Sequence, residues 1–67
     1  MTIREFVTGL NLSLHNSVDI TVQKQTGEKV YRGDHLEPSI SESVFYAASI
    51  GVSDDGEVLE LLFTVGG

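Results

Sequence analysis

The chain has 67 residues, a formal charge of −6, no cysteine and a hydrophobic content of 40%. The negative charge disfavours non-specific binding to nucleic acid or to an anionic membrane surface. The missing cysteines exclude disulfides, thiolate nucleophiles and cysteine-ligated metal sites. The composition therefore predicts one small globular domain over residues 1–67, with no membrane span and no signal peptide.

The first predicted element is a short helix at the N-terminus. Thr2 and Glu5 match the capping-box pattern, in which each side chain accepts a hydrogen bond from the other residue's backbone amide. Apolar residues then recur at the spacing of one helical face, namely Ile3, Phe6, Val7 and Leu10. Asn11 suits the end of a helix of two to three turns, and residues 12–16 are expected to form a connector. So short a helix must pack against another element to be stable.

A first β-hairpin is predicted to follow the connector. Valine and isoleucine alternate with polar residues over positions 18–23, which is typical of a half-buried strand. The turn is predicted to be a three-residue loop that ends at Gly27 in the left-handed conformation. This loop places Val22 opposite Val30, with both side chains on the core face.

A second hairpin is predicted to close the chain. Residues 32–43 are the least regular segment, and a single helical turn after Ser39 is allowed by the sequence. Alternation resumes at Val44, and Asp55-Gly56 indicates a type I′ turn. That turn sets an apolar register between the last two strands: Tyr46 with Val65, Ala48 with Phe63, Ile50 with Leu61, and Val52 with Leu59.

Together these elements predict an α+β fold. A short N-terminal helix packs on a four-stranded antiparallel sheet made of two β-hairpins, in the order α-β-β-β-β. Which strands of the two hairpins are adjacent stays open, because either pairing leaves the same residues inside. The predicted core consists of Ile3, Phe6, Val7, Leu10, Val18, Ile20, Val22, Val30, Tyr46, Ala48, Ile50, Val52, Leu59, Leu61, Phe63 and Val65.

Apolar residues are also predicted on the outer face of the last hairpin. Phe45, Val58 and Leu62 would lie there, and a cluster of exposed apolar side chains can mark a contact surface. A chain this small has a limited core and no disulfide, so self-association would stabilise it. Two interpretations remain open: the sheet curls to cover these residues, or the protein forms a homodimer or larger oligomer through them.

Few residues suggest catalysis. His15 and His35 are the only imidazoles, and Asp19, Asp34 or Glu37 would give them carboxylate partners for a metal site or an acid–base pair. The spacing of the histidines and carboxylates defines no coordination geometry, so we expect both histidines to lie in solvated loops instead. The chain has no Gly-x-Ser-x-Gly motif and no glycine-rich phosphate loop. It also has little room for a ligand pocket of about 300 Å³. We therefore expect neither an enzyme nor a metal or cofactor.

Charge is distributed unevenly along the chain. Residues 1–32 carry a net charge of +1, with four basic and three acidic residues, whereas residues 33–67 contain seven carboxylates and no lysine or arginine. Those seven are the candidate partner-binding residues: Asp34, Glu37, Glu42, Asp54, Asp55, Glu57 and Glu60. An acidic surface either keeps a small protein in solution or attracts a basic groove. In the second case the carboxylates imitate phosphates, and the partner is a basic nucleic-acid-binding protein rather than nucleic acid or a membrane.

The layout of three segments carries a resemblance. A short helix over residues 2–7 leads into a hairpin over residues 18–32, and a hairpin whose last strand covers residues 58–65 closes the chain. This layout resembles small acidic proteins encoded by phages and mobile elements of Gram-positive bacteria, some of which inhibit host defence nucleases, including anti-CRISPR proteins. The resemblance implies a phage-encoded inhibitor in the cytoplasm of a bacterial host cell. The alternative is an oligomerising structural or accessory subunit of a phage or mobile-element assembly.

Overall fold

A computed structural model describes residues 1–10 and 17–66 of the chain. The helices and strands are α1 (Ile3–Thr8), β1 (Ser17–Lys24), β2 (Lys29–Gly33), α2 (Pro38–Ser41), β3 (Phe45–Val52) and β4 (Val58–Val65). The predicted connector over residues 12–16 and the predicted helix end at Asn11 lie outside the described residues.

Helix α1 begins with the capping box that the sequence predicts. The Thr2 hydroxyl accepts a hydrogen bond from the Glu5 amide at 3.2 Å, and the Glu5 carboxylate accepts one from the Thr2 amide at 2.8 Å. The helix has six residues and ends at Thr8, so it is shorter than predicted. Ile3 is fully buried and Phe6 packs against the core. This packing holds the helix in place, because six residues do not form a stable helix alone.

The four strands form one sheet in the order β2-β1-β4-β3. The two hairpins are antiparallel, but β1 and β4 are parallel, so the prediction of a purely antiparallel sheet is wrong at this pair. The cause is the long connection over residues 34–44. It passes across the core face, where Ile40 of α2 packs, and β3 therefore begins beside Val65 at the far end of the sheet. The two strands with the strongest apolar alternation thus occupy the buried centre.

The core lies between the helices and one face of the sheet. Six apolar residues are buried: Ile3, Ile20, Val22, Leu59, Leu61 and Phe63. The rings of Phe6, Phe45 and Phe63 contact one another edge to face, with centroids 5.2–5.4 Å apart. Partly buried residues complete the core: Phe6, Val7, Leu10, Val18, Tyr31, Leu36, Ile40, Phe45 and Val65. Tyr31, Leu36, Ile40 and Phe45 are absent from the predicted core.

A β-bulge in the first hairpin changes which side chain faces the core. Gly27 has the predicted left-handed conformation, with a φ of +93°. The register then shifts immediately after Val22, which pairs with Tyr31. The prediction that Val30 lies opposite Val22 is therefore wrong. Tyr31 packs against the core in its place, and Val30 is 44% exposed.

A second bulge has the same effect in the last hairpin. Three of the four predicted pairs are confirmed: Val52 with Leu59, Ile50 with Leu61, and Ala48 with Phe63. A register shift between Phe45 and Ala47 then places Phe45, not Tyr46, opposite Val65. The predictions of Tyr46 in the core and Phe45 on the outer face are both wrong. Tyr46 is 70% exposed, and Phe45 belongs to the ring cluster.

Strand β3 contributes less to the core than predicted. Ala48, Ile50 and Val52 share the face of the buried β4 residues, yet all three are exposed. Helix α1 packs near the start of β3, where Phe6 contacts Phe45, rather than over this part of the strand. These three residues therefore lie on an apolar face at the edge of the sheet, outside the buried core.

The turn between β3 and β4 differs from the predicted type. Gly56 has a φ of +76°, but Asp55 does not have a positive φ, so the turn is not type I′. The Ser53 carbonyl accepts from the Gly56 amide at 2.9 Å, and the Ser53 amide donates to the Val58 carbonyl at 3.0 Å. The result is a four-residue loop over residues 54–57. It preserves the predicted strand register because it has the same midpoint as the shorter loop.

Candidate interaction surface

Two acidic segments lie at the same end of the sheet, where β1 and β4 begin. Strand β4 starts at Val58 beside Ser17, so the β3–β4 loop projects from this end. Strand β2 runs towards the same end but stops at Gly33 beside Ile20, three residues short of Ser17, and Asp34 follows it directly. We call the carboxylates of these two loops the acidic end: Asp34, Glu37, Asp54, Asp55 and Glu57.

The carboxylates extend across the width of the sheet. Strands β2 and β3 are the two edges, and three inter-strand spacings separate them by roughly 14 Å. Asp19 and Glu60 lie between the two loops as direct neighbours across β1 and β4. Arg32 lies beside this pair, and the hydrogen bond to Asp19 and, to a smaller extent, the charge of Glu60 raise the pKa of Arg32.

The basic residues pair with only some of the carboxylates. Among the described residues, lysine and arginine form three ion pairs: Arg4 with Glu42 at 2.9 Å, Lys24 with Glu28 at 3.3 Å, and Arg32 with Asp19 at 3.1 Å. Glu42 is thus bound to Arg4 beside the helices and does not join the acidic end. None of these three pairs involves Asp34, Asp54 or Glu60, although His35 contacts Asp34 and the charge of Glu60 acts on Arg32.

His35 links two carboxylates of the acidic end. Its Nδ1 lies 3.0 Å from Asp34 and its Nε2 lies 2.7 Å from Glu37. The hydrogen bonds that His35 donates to Asp34 and Glu37 raise the pKa of His35, and the bond with His35 lowers the pKa of Asp34. The Tyr31 hydroxyl donates to the His35 carbonyl at 2.6 Å. The loop is therefore organised around an exposed histidine, whose partners are two of the carboxylates that the sequence offers for an acid–base pair.

The histidines carry little evidence for a metal site. Among residues 1–10 and 17–66, no group of three or more histidine and carboxylate side chains is placed to hold a metal ion. His15 lies outside the described residues, so the expectation that it is a solvated loop histidine stays a prediction.

Asp55 has a structural role within the β3–β4 loop. Its carboxylate accepts hydrogen bonds from the Ser53 hydroxyl at 2.6 Å and from the Glu57 amide at 3.0 Å. These two bonds lower the pKa of Asp55. Aspartate side chains commonly stabilise turns by hydrogen bonds of this kind to their own loop. Asp55 therefore fixes the shape of the loop, while the neighbouring Asp54 is exposed without such bonds.

The face of the sheet opposite the core is an open groove of about 370 Å³. Its lining includes Asp19 and Glu60 towards the acidic end and Lys29 towards the other end. The groove is open to solvent, so it does not contradict the expectation that the domain has little room for an enclosed ligand pocket. Of the residues predicted for self-association, Val58 and Leu62 lie on this face and are half-buried, whereas Phe45 belongs to the core.

No helix within residues 1–10 and 17–66 is long and apolar enough to cross a membrane. Comparison of the chain with protein-family models, with curated proteins and with solved structures returned no match.

Proposed function

We propose that this chain is a non-catalytic interaction protein whose acidic end occupies the basic nucleic-acid-binding site of another protein. The observation that carries the proposal is the placement of the carboxylates. The loops that follow the two edge strands, β2 and β3, carry the carboxylates towards one end of the sheet. Glu60 lies between those edges, on β4. The charge asymmetry of the sequence thus becomes an asymmetry of the surface.

A surface of this kind binds by imitation of phosphate groups. A nucleic-acid channel is lined with lysine and arginine side chains that hold phosphates at intervals. Exposed carboxylates such as that of Asp54 offer the same charge. Complementary charge accelerates association, and this attraction weakens as the salt concentration rises. The mechanism needs no catalytic residue and no cofactor.

The acidic end is also organised before it meets a partner. Asp55 is held by two hydrogen bonds within its loop. Asp34 and Glu37 are held together by His35. Ordering these side chains in advance lowers the entropic cost of binding. The resemblance to small phage proteins suggests the class of partner, a nucleic-acid-handling defence protein such as a nuclease, which the chain would inhibit in the bacterial cytoplasm.

Two matched double variants test this proposal. D54K/E60K reverses charge at and beside the acidic end, whereas E28K/E42K reverses two ion-paired glutamates elsewhere. Each reversal adds two positive charges, so both variants change the net charge from −6 to −2. The tagged proteins would be incubated with a Gram-positive bacterial lysate, washed at low and then moderate salt, and eluted with duplex DNA or with RNA.

We expect the unmodified chain and E28K/E42K to retain one nucleic-acid-binding protein that nucleic acid displaces. D54K/E60K should bind it at least about tenfold more weakly, because apposed like charges cost several kcal/mol. Equal retention by both double variants would contradict the proposal. Failure of DNA and RNA to displace the retained protein would also contradict it.

A second candidate function is an oligomerising structural or accessory subunit of a phage or mobile-element assembly. It is favoured by the exposed apolar residues of β3, which include Tyr46, Ile50 and Val52. Association through such residues should be insensitive to salt, in contrast to binding through the acidic end. Sedimentation of the purified chain over a range of concentrations, in low and in high salt, distinguishes the two.

A further inference from the structure

Strand β3 has an open edge. Within the described part of the chain, β4 is its only neighbour in the sheet order. The Ser53 amide bonds to the Val58 carbonyl, so every second residue back from Ser53 points its backbone groups towards β4. The residues between them, Ala48, Ile50 and Val52, therefore direct their amides and carbonyls away from the sheet.

The composition of β3 leaves this edge unprotected. Edge strands are usually blocked by charged residues, by proline or by a bulge. None of the eight residues of β3 is charged or proline, and its bulge lies at the far end, between Phe45 and Ala47. Three large apolar side chains of the strand are 49–70% exposed: Tyr46, Ile50 and Val52. Val44, just before the strand, forms an isolated bridge with Thr2. An edge of this kind is a site for the addition of another strand.

We propose that the added strand is β3 of a second copy of this chain, paired antiparallel about a two-fold axis at Ile50. In this register Ile50 lies opposite Ile50 of the second copy, and Ala48 lies opposite Val52. All three residues with outward backbone groups then form hydrogen-bonded pairs on both copies. Since each such pair exchanges two bonds, the junction contains about six backbone hydrogen bonds. The product is one eight-stranded sheet.

The side chains agree with this register on both faces of the sheet. On the core face, isoleucine meets isoleucine and alanine meets valine, which extends the apolar face across the junction. On the opposite face, Ser49 meets Gly51, and neither is bulky or charged. Because a two-fold interface places the same patch on both partners, an uncharged strand is the kind that suits self-pairing.

Charge also favours a second copy of the chain as the source of the added strand, and antiparallel pairing as its direction. Antiparallel pairing places Asp54 opposite Tyr46 of the second copy, so the two Asp54 residues lie about 27 Å apart, eight strand residues away. That distance is well beyond the Debye length of about 8 Å. A parallel arrangement would bring the acidic loops together. A basic partner would gain no charge attraction from this strand, so a second copy is the better match.

The dimer should be weak. A standard interface buries about 800 Å² on each partner, which is about a fifth of the 4256 Å² of surface on this chain. Pairing through one strand edge buries less, so we expect a Kd of roughly 1–100 μM. This inference makes the second candidate function specific and rests on it, but it is independent of the acidic end, because β3 and the acidic carboxylates are different residues.

Sedimentation of charge variants at position 50 tests the register. I50K and I50E place like charges beside the axis and should each be monomeric up to hundreds of micromolar. An equimolar mixture of the two should regain the dimer, because residue 50 faces its own counterpart. The matched control is V30K, which adds the same charge to a 44% exposed valine on the other edge strand and should dimerise like the unmodified chain.

A cysteine variant gives a second test that does not depend on charge. The chain has no cysteine, so I50C carries a single thiol. Opposed residues in a hydrogen-bonded pair have Cα atoms about 5.5 Å apart, which is within disulfide range. I50C should form a cross-linked dimer on mild oxidation, and V30C should not. A monomeric unmodified chain at 500 μM would overturn the proposal, as would equal cross-linking of I50C and V30C. If the chain dimerises but retains no protein from the lysate that DNA displaces, that result would count against the proposal for the acidic end and not against the dimer.

Discussion

Neighbouring aromatic residues at the start of β3 allow a direct test of the bulge. Strict alternation along the strand places Tyr46 in the core and Phe45 outside, whereas the structure has the reverse. Truncation of each residue to alanine separates the two arrangements. The change removes a whole aromatic ring in both cases, so F45A and Y46A are matched in chemistry and differ in environment.

The structure gives the expected size of the difference. Phe45 contacts Phe6 and Phe63 edge to face, at centroid distances of 5.4 and 5.2 Å. Each such pair contributes about 0.5–1.5 kcal/mol beyond the burial of area, and Phe→Ala at a buried site costs about 3–5 kcal/mol. Since Phe45 is only half-buried, we expect F45A to lower the free energy of unfolding by about 2–4 kcal/mol. Tyr46 is 70% exposed, and Y46A should cost less than about 1 kcal/mol.

Thermal unfolding followed by circular dichroism measures this difference. One kcal/mol shifts the Tm of a domain of this size by about 4–8 °C, so F45A should lower the Tm by at least about 8 °C. Both truncations would be made in the I50K chain as well, so that a change in self-association does not add to the result. Equal destabilisation by Y46A and F45A would contradict the bulge that places Phe45 in the core and Tyr46 outside it.

Two further predictions concern the loops at the acidic end. G56A should lower the free energy of unfolding by about 1–2 kcal/mol, because Gly56 has a φ of +76°. The control G51A, at a position without a positive φ, should change the Tm by only a few degrees. Equal losses of stability in the two variants would contradict the loop conformation. H35Q should destabilise the chain more at pH 5.5 than at pH 8.5. The carboxylates raise the pKa of His35 above the ordinary histidine value of about 6.5. The stabilisation by His35 is therefore complete below the ordinary value and is lost as pH rises through the raised pKa. An equal effect at both pH values would show that the charge of His35 is not involved.

Much of the candidate surface could be identified from composition alone, but its arrangement could not. The seven carboxylates of the second half are visible in the sequence, and so is the absence of basic residues among them. The ion pair between Arg4 and Glu42 is not, because it joins residues far apart in the chain. The convergence of the two acidic loops likewise depends on where β2 ends relative to the β3–β4 loop, which no local pattern specifies.

Features that depend on neighbouring residues were determined by the sequence itself. The capping box of Thr2 and Glu5 and the left-handed Gly27 follow from hydrogen bonds and backbone sterics within a few residues. The register of the last hairpin follows from its short loop and from the apolar pairs that a slip would expose.

Features that depend on competition between distant segments were decided only by the tertiary structure. The connection over residues 34–44 made β1 and β4 parallel neighbours, since it crosses the core face before β3 begins. Two bulges placed Tyr31 and Phe45 against the core, because ring packing there outweighs strict alternation. The same topology left β3 at the edge of the sheet, where the outward backbone groups of an apolar strand are available to pair with another strand.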